Sequence, residues 1–260
     1  KVRNVWYRWI VRVIALAVAI LLTWSTIDTW TVVRFFGGRN LPAETQMWRD
    51  PIFGHALGFY LFDLPFYNLL RAYLLALTLA AIFAYSITAR GWQLREQLPL
   101  LQQMDEFDAS IFRLEGGLES RFLRGAAAVF LLGLGLRFFL NRYALLYKDH
   151  GFMVGIDWVD ETITLPLLWL VVVGCAAAAV LVWVGRWRWA AGLVVVLIAY
   201  AAVPPAVSAI YVRPNENRIQ RPYIETHIHA TRAAYALSQR AREIEFAAEL
   251  EADIDPADYP

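Results

Sequence analysis

The stretch ITLPLLWLVVVGCAAAAVLVWVGRWRWAAGLVVVLIAYAAVPPAVSAIYV, residues 163–212, decides the fold. Its only charges are Arg186 and Arg188. Each apolar half is long enough to cross the ~30 Å core of a bilayer, which takes roughly 20 residues in a helix. Backbone groups have no water partners in lipid, so both halves must be helical. The link Arg186-Trp187-Arg188 is so short that the two helices must form an antiparallel hairpin. Pro204 and Pro205 remove two backbone donors and are expected to kink the second helix.

Working outward, three more stretches qualify as spans: 13–33, 64–87 and 122–140, the last being the shortest. Composition agrees. Hydrophobic residues make up 59% of the 260, charged residues only 18%, and mean hydropathy is +0.44. The five stretches hold just four charges, Asp28, Arg71, Arg124 and Arg137. This pattern excludes a soluble enzyme, a disordered chain and a disulfide-rich secreted domain. The lone Cys175 forbids an internal disulfide or a Cys-based metal cluster and reads as a small buried hydrophobe. The net charge of +1 shows no bias toward nucleic acid.

Basic residues set the orientation. They are richest in the N-terminal flank (Lys1, Arg3, Arg8, Arg12), the loop between the second and third spans (Arg90, Arg95, Arg113, Arg121) and the hairpin turn. Those parts are expected in the cytoplasm, with Pro260 outside. In the second loop, GWQLREQLPLLQQMDEF (residues 91–107) mixes Leu and Trp with charge and is expected to form an interfacial amphipathic helix. After the last span, Ile224, Ile228 and Tyr235 recur at helical spacing, and seven acids without a base follow Arg242. The expected fold is thus an all-α membrane bundle over 1–212. An extracytoplasmic helical segment with an acidic tail follows over 213–260. The chain opens on Lys1 and closes on DIDPADYP, so it is read as a piece of a longer polypeptide with a further domain beyond it.

Three stretches carry a resemblance: DPIFGHALGFYLFDLPFY (50–67), RYALLYKDHGFMVGIDWVDETITLP (142–166) and YVRPNENRIQRPYIETHIHATRAAYAL (211–237). Their order and spacing resemble a family of large bacterial multi-pass proteins known as an uncharacterised protein family, numbered zero-one-eight-two. The resemblance implies a bacterial inner-membrane location and a large extracytoplasmic region, and it implies no activity. The sequence departs from the family pattern at Ala56, Thr162, Gln220 and His227, where an acid, a histidine, an acid and an asparagine are usual.

Four constellations could carry chemistry. Asp28, Arg71 and Arg137 fall at matching depth, roughly 8–10 Å or less from the outer ends of their spans, and are expected to form an intramembrane ion pair, Asp28 with Arg71 first. The histidines His55, His150, His227 and His229 all fall on the outer side beside Asp149, Asp157, Asp160, Glu161 and Glu225. Their spacing argues against a metal, since His227 and His229 point about 200° apart on a helix. Asp157, Asp160, Asn215 and Glu216 make a candidate outer-face polar cluster, although Glu216 has no visible base or nucleophile partner. Aromatic residues at span ends, from Phe59 to Tyr67 and Trp183 to Trp189, read as an anchoring belt.

No catalytic residue and no cofactor are expected. No span holds a histidine, so a bis-His haem has no ligands within the chain. The leading functional expectation is a membrane anchor or scaffold for a larger envelope protein or complex, with a transporter or lipid-handling protein as the alternative. A membrane-bound enzyme is disfavoured by the lack of a nucleophile–base pair. The expected partners are the lipid bilayer and other membrane helices, with no nucleic acid. Gly125, Gly133 and Gly135 in the third span, and Gly174 with the alanines 176–179 in the fourth, form small-residue faces of the kind that membrane helices use to associate. At least one is expected to meet a helix from outside the chain.

Overall fold

The computed structural model describes residues 2–42, 49–101, 120–151 and 153–240. Among the described residues the regular structure is helical apart from two isolated β-bridges, Arg49 with Ala56 and Asp149 with Val154. The long helices are α1 (Val2–Thr26), α2 (Thr29–Gly38), α3 (Leu64–Leu101), α4 (Arg121–Asn141), α5 (Leu165–Trp183) and α7 (Gly192–Val207); α6 (Trp187–Ala190) is a single turn. Short α8 (Glu216–Ile219), α9 (Arg221–Ala234) and α10 (Leu237–Arg240) follow. Four helical segments are long and apolar enough to cross a membrane, and α1–α2 makes a fifth only if the bent pair counts as one span.

The long helices pack in chain order, α3 between α1 and α4, and α5 between α4 and α7. The reason is compositional. On α5 the buried residues Leu168, Val171, Cys175, Ala178, Ala179 and Val182 recur at three and four, which is one stripe of a helix. Gly135 of α4 lets Cys175 approach, since a Cβ there would stand 3.1 Å from the Cys175 Cβ. Gly133 likewise faces Leu75 of α3, Gly174 faces Leu193 of α7, and Gly125 faces Trp183. These glycines are thus spent on packing within the chain. Helices α1 and α7 bury little, with Leu21 67% and Val195 69% exposed, as suits surfaces solvated by acyl chains.

The hairpin between α5 and α7 turns on Gly185, held at φ +88°. Arg186 N–H donates to Leu181 O (2.7 Å) and Gly185 N–H to Val182 O (3.0 Å), a Schellman closure. The link is as short as the sequence requires. Pro204 and Pro205 do not interrupt α7, which continues into a π-helical turn, Ser208–Val212. Similar π-helical turns, Phe59–Asp63 and Asp160–Thr164, open α3 and α5. All three lie at one end of the row, called here the loop end, with residues 49–63 and 142–160.

Two expectations change. The first span is not one helix: α1 and α2 meet at a 62° bend. Asp28 causes it, accepting hydrogen bonds from Trp30 N (3.2 Å), Thr31 N (3.2 Å) and Thr31 Oγ1 (2.7 Å), so that it caps α2 instead of continuing α1. Asp28→Ala is expected to cost about 1 kcal/mol of capping and to straighten the bend. Spin labels at the exposed Leu16 and Phe36 would then move apart; an unchanged distance would mean the bend has another cause. The second change concerns the amphipathic stretch, which up to Leu101 is the continuation of α3 and no separate helix. Gly91 costs only about 1 kcal/mol, and Pro99 stands two residues before the last described residue of α3, which runs through both to Leu101. The rest of that stretch and the acidic tail lie outside the described residues.

Candidate functional site

At the loop end, a turn ties the end of α4 to the head of α5. Gly155 N–H donates to Lys148 O (2.9 Å) and His150 N–H to Met153 O (3.0 Å). Gly155 has φ +130°, which an L side chain rarely adopts, and this closes the loop over His150. Asp157 then caps the next turn, its Oδ1 accepting from Asp160 N (2.8 Å).

The result is a buried polar knot. Asp160 is fully buried, and its carboxylate accepts from Lys148 Nζ at 2.8 and 2.9 Å and from Thr164 Oγ1 at 3.0 Å. His150 bridges the two acids, with Nε2 3.2 Å from Asp160 Oδ2 and Nδ1 3.6 Å from Asp157 Oδ2. Gln220, 1% exposed, completes the knot from 60 residues along the chain: its Nε2 donates to Asp157 Oδ2 (3.2 Å) and its Oε1 accepts from Trp158 N (3.3 Å). Burial of two carboxylates costs several kcal/mol each unless they are paired and hydrogen-bonded, and here each is. His150, Asp157 and Asp160 each offer an atom within 4.8 Å of the others, spacing that suits a metal ion. The Lys148 ammonium already sits on both oxygens of Asp160, however, and supplies the positive charge that such an ion would bring.

A second cluster adjoins it. Asp50 is buried and accepts from Ile52 N, Phe53 N and Tyr60 Oη, which shapes the turn before α3. His55 Nε2 lies 3.1 Å from Tyr143 Oη, and its ring stacks on Phe59. The Arg142 guanidinium stands 4.0 Å over the Phe139 ring. Between the two clusters opens a cleft of about 480 Å³, lined among others by Asp50, Tyr60, Tyr147, Met153, Glu161 and Tyr223. Tyr223 donates to Glu161, and burial together with that carboxylate pushes its phenol well above the usual 10. A raised phenol pKa keeps this hydrogen bond through mildly alkaline pH and releases it only at pH above the ordinary tyrosine range.

Of the residues singled out from sequence, Asp157 and Asp160 come together. Asn215 and Glu216 do not join them: both are exposed, Asn215 Nδ2 donating to Tyr211 O and Glu216 O accepting from Gln220 N. Asp28 has no ion pair with Arg71 or Arg137 among the described residues, because its oxygens are taken by the α2 cap. Sequence reasoning missed Lys148, named Gln220 only as a departure from the family pattern, and placed His150 among the outer-side histidines without a partner. Nothing local marks Gln220, whose partners lie 62 and 63 residues away.

Four helices long and apolar enough to cross a membrane, joined at one end by a buried ionic knot, make a helical protein compatible with a membrane setting. The chain belongs to the Uncharacterised protein family (UPF0182), whose model matches residues 1–258. It is 57% identical over 234 residues to a UPF0182 protein of Solibacter usitatus, covering 90% of this chain and 26% of that relative. It is 33% identical to a UPF0182 protein of Cupriavidus necator (87% and 24% covered) and 35% identical to one of Bradyrhizobium diazoefficiens (77% and 21%). The chain therefore spans about a quarter of the length of the curated relatives it matches. No solved structure matches it.

Proposed function

We propose that this chain is the membrane anchor of a larger envelope protein of the inner membrane, with the loop end facing outward and Lys1 in the cytoplasm. The observation that carries the reading is Gln220. Fully buried and bonded to the head of α5, it fixes the segment that leaves α7 for α9, so whatever follows is held at a set angle to the membrane. The length of the relatives supports a sizeable region beyond, and the apolar outward faces of α1 and α7 suit lipid and further helices of the same protein or other subunits. A lipid-handling role is the second reading, supported by the interfacial cleft beside Tyr223.

Gln220→Ala in the full-length protein tests the anchor. Trypsin cleavage after Arg218 in membranes is expected to accelerate about tenfold, as a lost hydrogen-bonded pair near 1.4 kcal/mol implies. Unchanged cleavage would show that Gln220 does not hold the exit segment.

A further inference from the structure

The two arginines left without Asp28 carry an inference that rests on the membrane reading above. Helices α3 and α4 run antiparallel, and their register is fixed where Gly133 meets Leu75, an added Cβ standing 2.9 Å from Leu75 Cδ2. Four residues toward the loop end along each helix, on the same faces, stand Arg137 and Arg71. They are therefore level with each other on facing helices. Arg71 lies seven residues inside the start of α3 and Arg137 four from the end of α4, roughly 10 and 6 Å deep at 1.5 Å per residue.

Among the described residues no acid pairs with them. The ion pairs among the described residues join Lys148 or His150 to the knot and Arg221 to Glu225. Among the described residues Arg71 donates one long bond, Nε to Asn68 O at 3.5 Å. Two arginines level on facing helices at this depth bring like charges together and need an anion. Arginine stems extend toward the interface, where the anions are lipid phosphates, and the planar guanidinium suits a phosphate in bidentate fashion. A headgroup amine would add a third positive charge, so a headgroup without one fits better. Exposed Leu132 and Leu136 continue the apolar surface along α4 for an acyl chain.

We propose that Arg71 and Arg137 together bind the phosphate of an anionic glycerophospholipid in the leaflet at the loop end. The test is native mass spectrometry of the full-length protein in detergent, titrated with phosphatidylglycerol or phosphatidylcholine of the same chains. The wild type is expected to prefer phosphatidylglycerol by about fivefold for each arginine, the effect of one basic residue at an anionic surface. Arg71→Gln/Arg137→Gln should abolish the preference, and Arg71→Lys/Arg137→Lys should keep most of it. No preference in the wild type, or a preference that survives in a folded double-Gln variant, would overturn the inference. So would displacement of the lipid by millimolar inorganic phosphate, which would make the ligand an aqueous ion. Equal binding of both lipids defeats only this inference, whereas a protein that takes up neither lipid and leaves the membrane defeats the anchor reading as well.

Discussion

Lys148→Met is expected to destabilise the protein toward the lower end of the ~3–5 kcal/mol that breaking a buried ion pair costs. Asp160 is fully buried, and without Lys148 its carboxylate keeps only Thr164 and His150 as partners. The lower end applies because the Lys148 side chain is itself 44% exposed, and water can partly replace it. Lys148→Met with Asp160→Leu should recover most of the loss, since removing both charges also removes the burial penalty. Thermal unfolding of the full-length protein in detergent measures all three. A Lys148→Met variant within about 0.5 kcal/mol of wild type, the size of an ordinary surface change, would mean that the ion pair contributes nothing.

Gly135→Leu carries the second large effect. Its Cβ would stand 3.1 Å from the Cys175 Cβ and 3.7 Å from Val172 O, a side-chain root and a backbone atom that cannot swing aside. The helices α4 and α5 must then separate, at a cost of about 1–3 kcal/mol or more for overpacking. Gly133→Leu should cost less, because the nearest atom is the end of the Leu75 side chain, which can change rotamer. Gly192 has nothing within 4 Å of an added Cβ, so Gly192→Leu serves as the neutral control. The same unfolding assay ranks them, and equal effects at Gly135 and Gly192 would contradict the packing of α4 on α5.

Much of this fold is legible because lipid simplifies the problem. Apolar length alone marks the helices at 64–87, 122–140 and 163–212, and the Arg-Trp-Arg link fixes their antiparallel hairpin. The bend at Asp28 was harder to read. An acid in an apolar stretch suggests a counter-ion, and here the backbone N–H groups of Trp30 and Thr31 fill that role locally at lower entropic cost than a distant arginine. The knot was half legible. Asp157 and Asp160 stand out as acids at a span entrance, but their partners are set by how α4 ends and where α7 exits. Gln220 stands out only as a neutral residue where the family usually has an acid, which does not reveal its partners 62 and 63 residues away. Asn215 and Glu216 looked like part of the cluster only because they follow the last span closely in sequence; the 3-10 turn Arg213–Asn215 leaves both facing outward.

In the proposed topology the loop end, with its ionic knot and departing α9, faces away from the cytoplasm. Cysteine labelling of the full-length protein in intact cells tests it most directly, with the buried Cys175 replaced by alanine. His229→Cys on the exposed side of α9 is expected to react with a membrane-impermeant maleimide, and Ser110→Cys is expected to react only after the cells are opened. The reverse pattern, with Ser110→Cys labelled from outside and His229→Cys protected, would contradict the account.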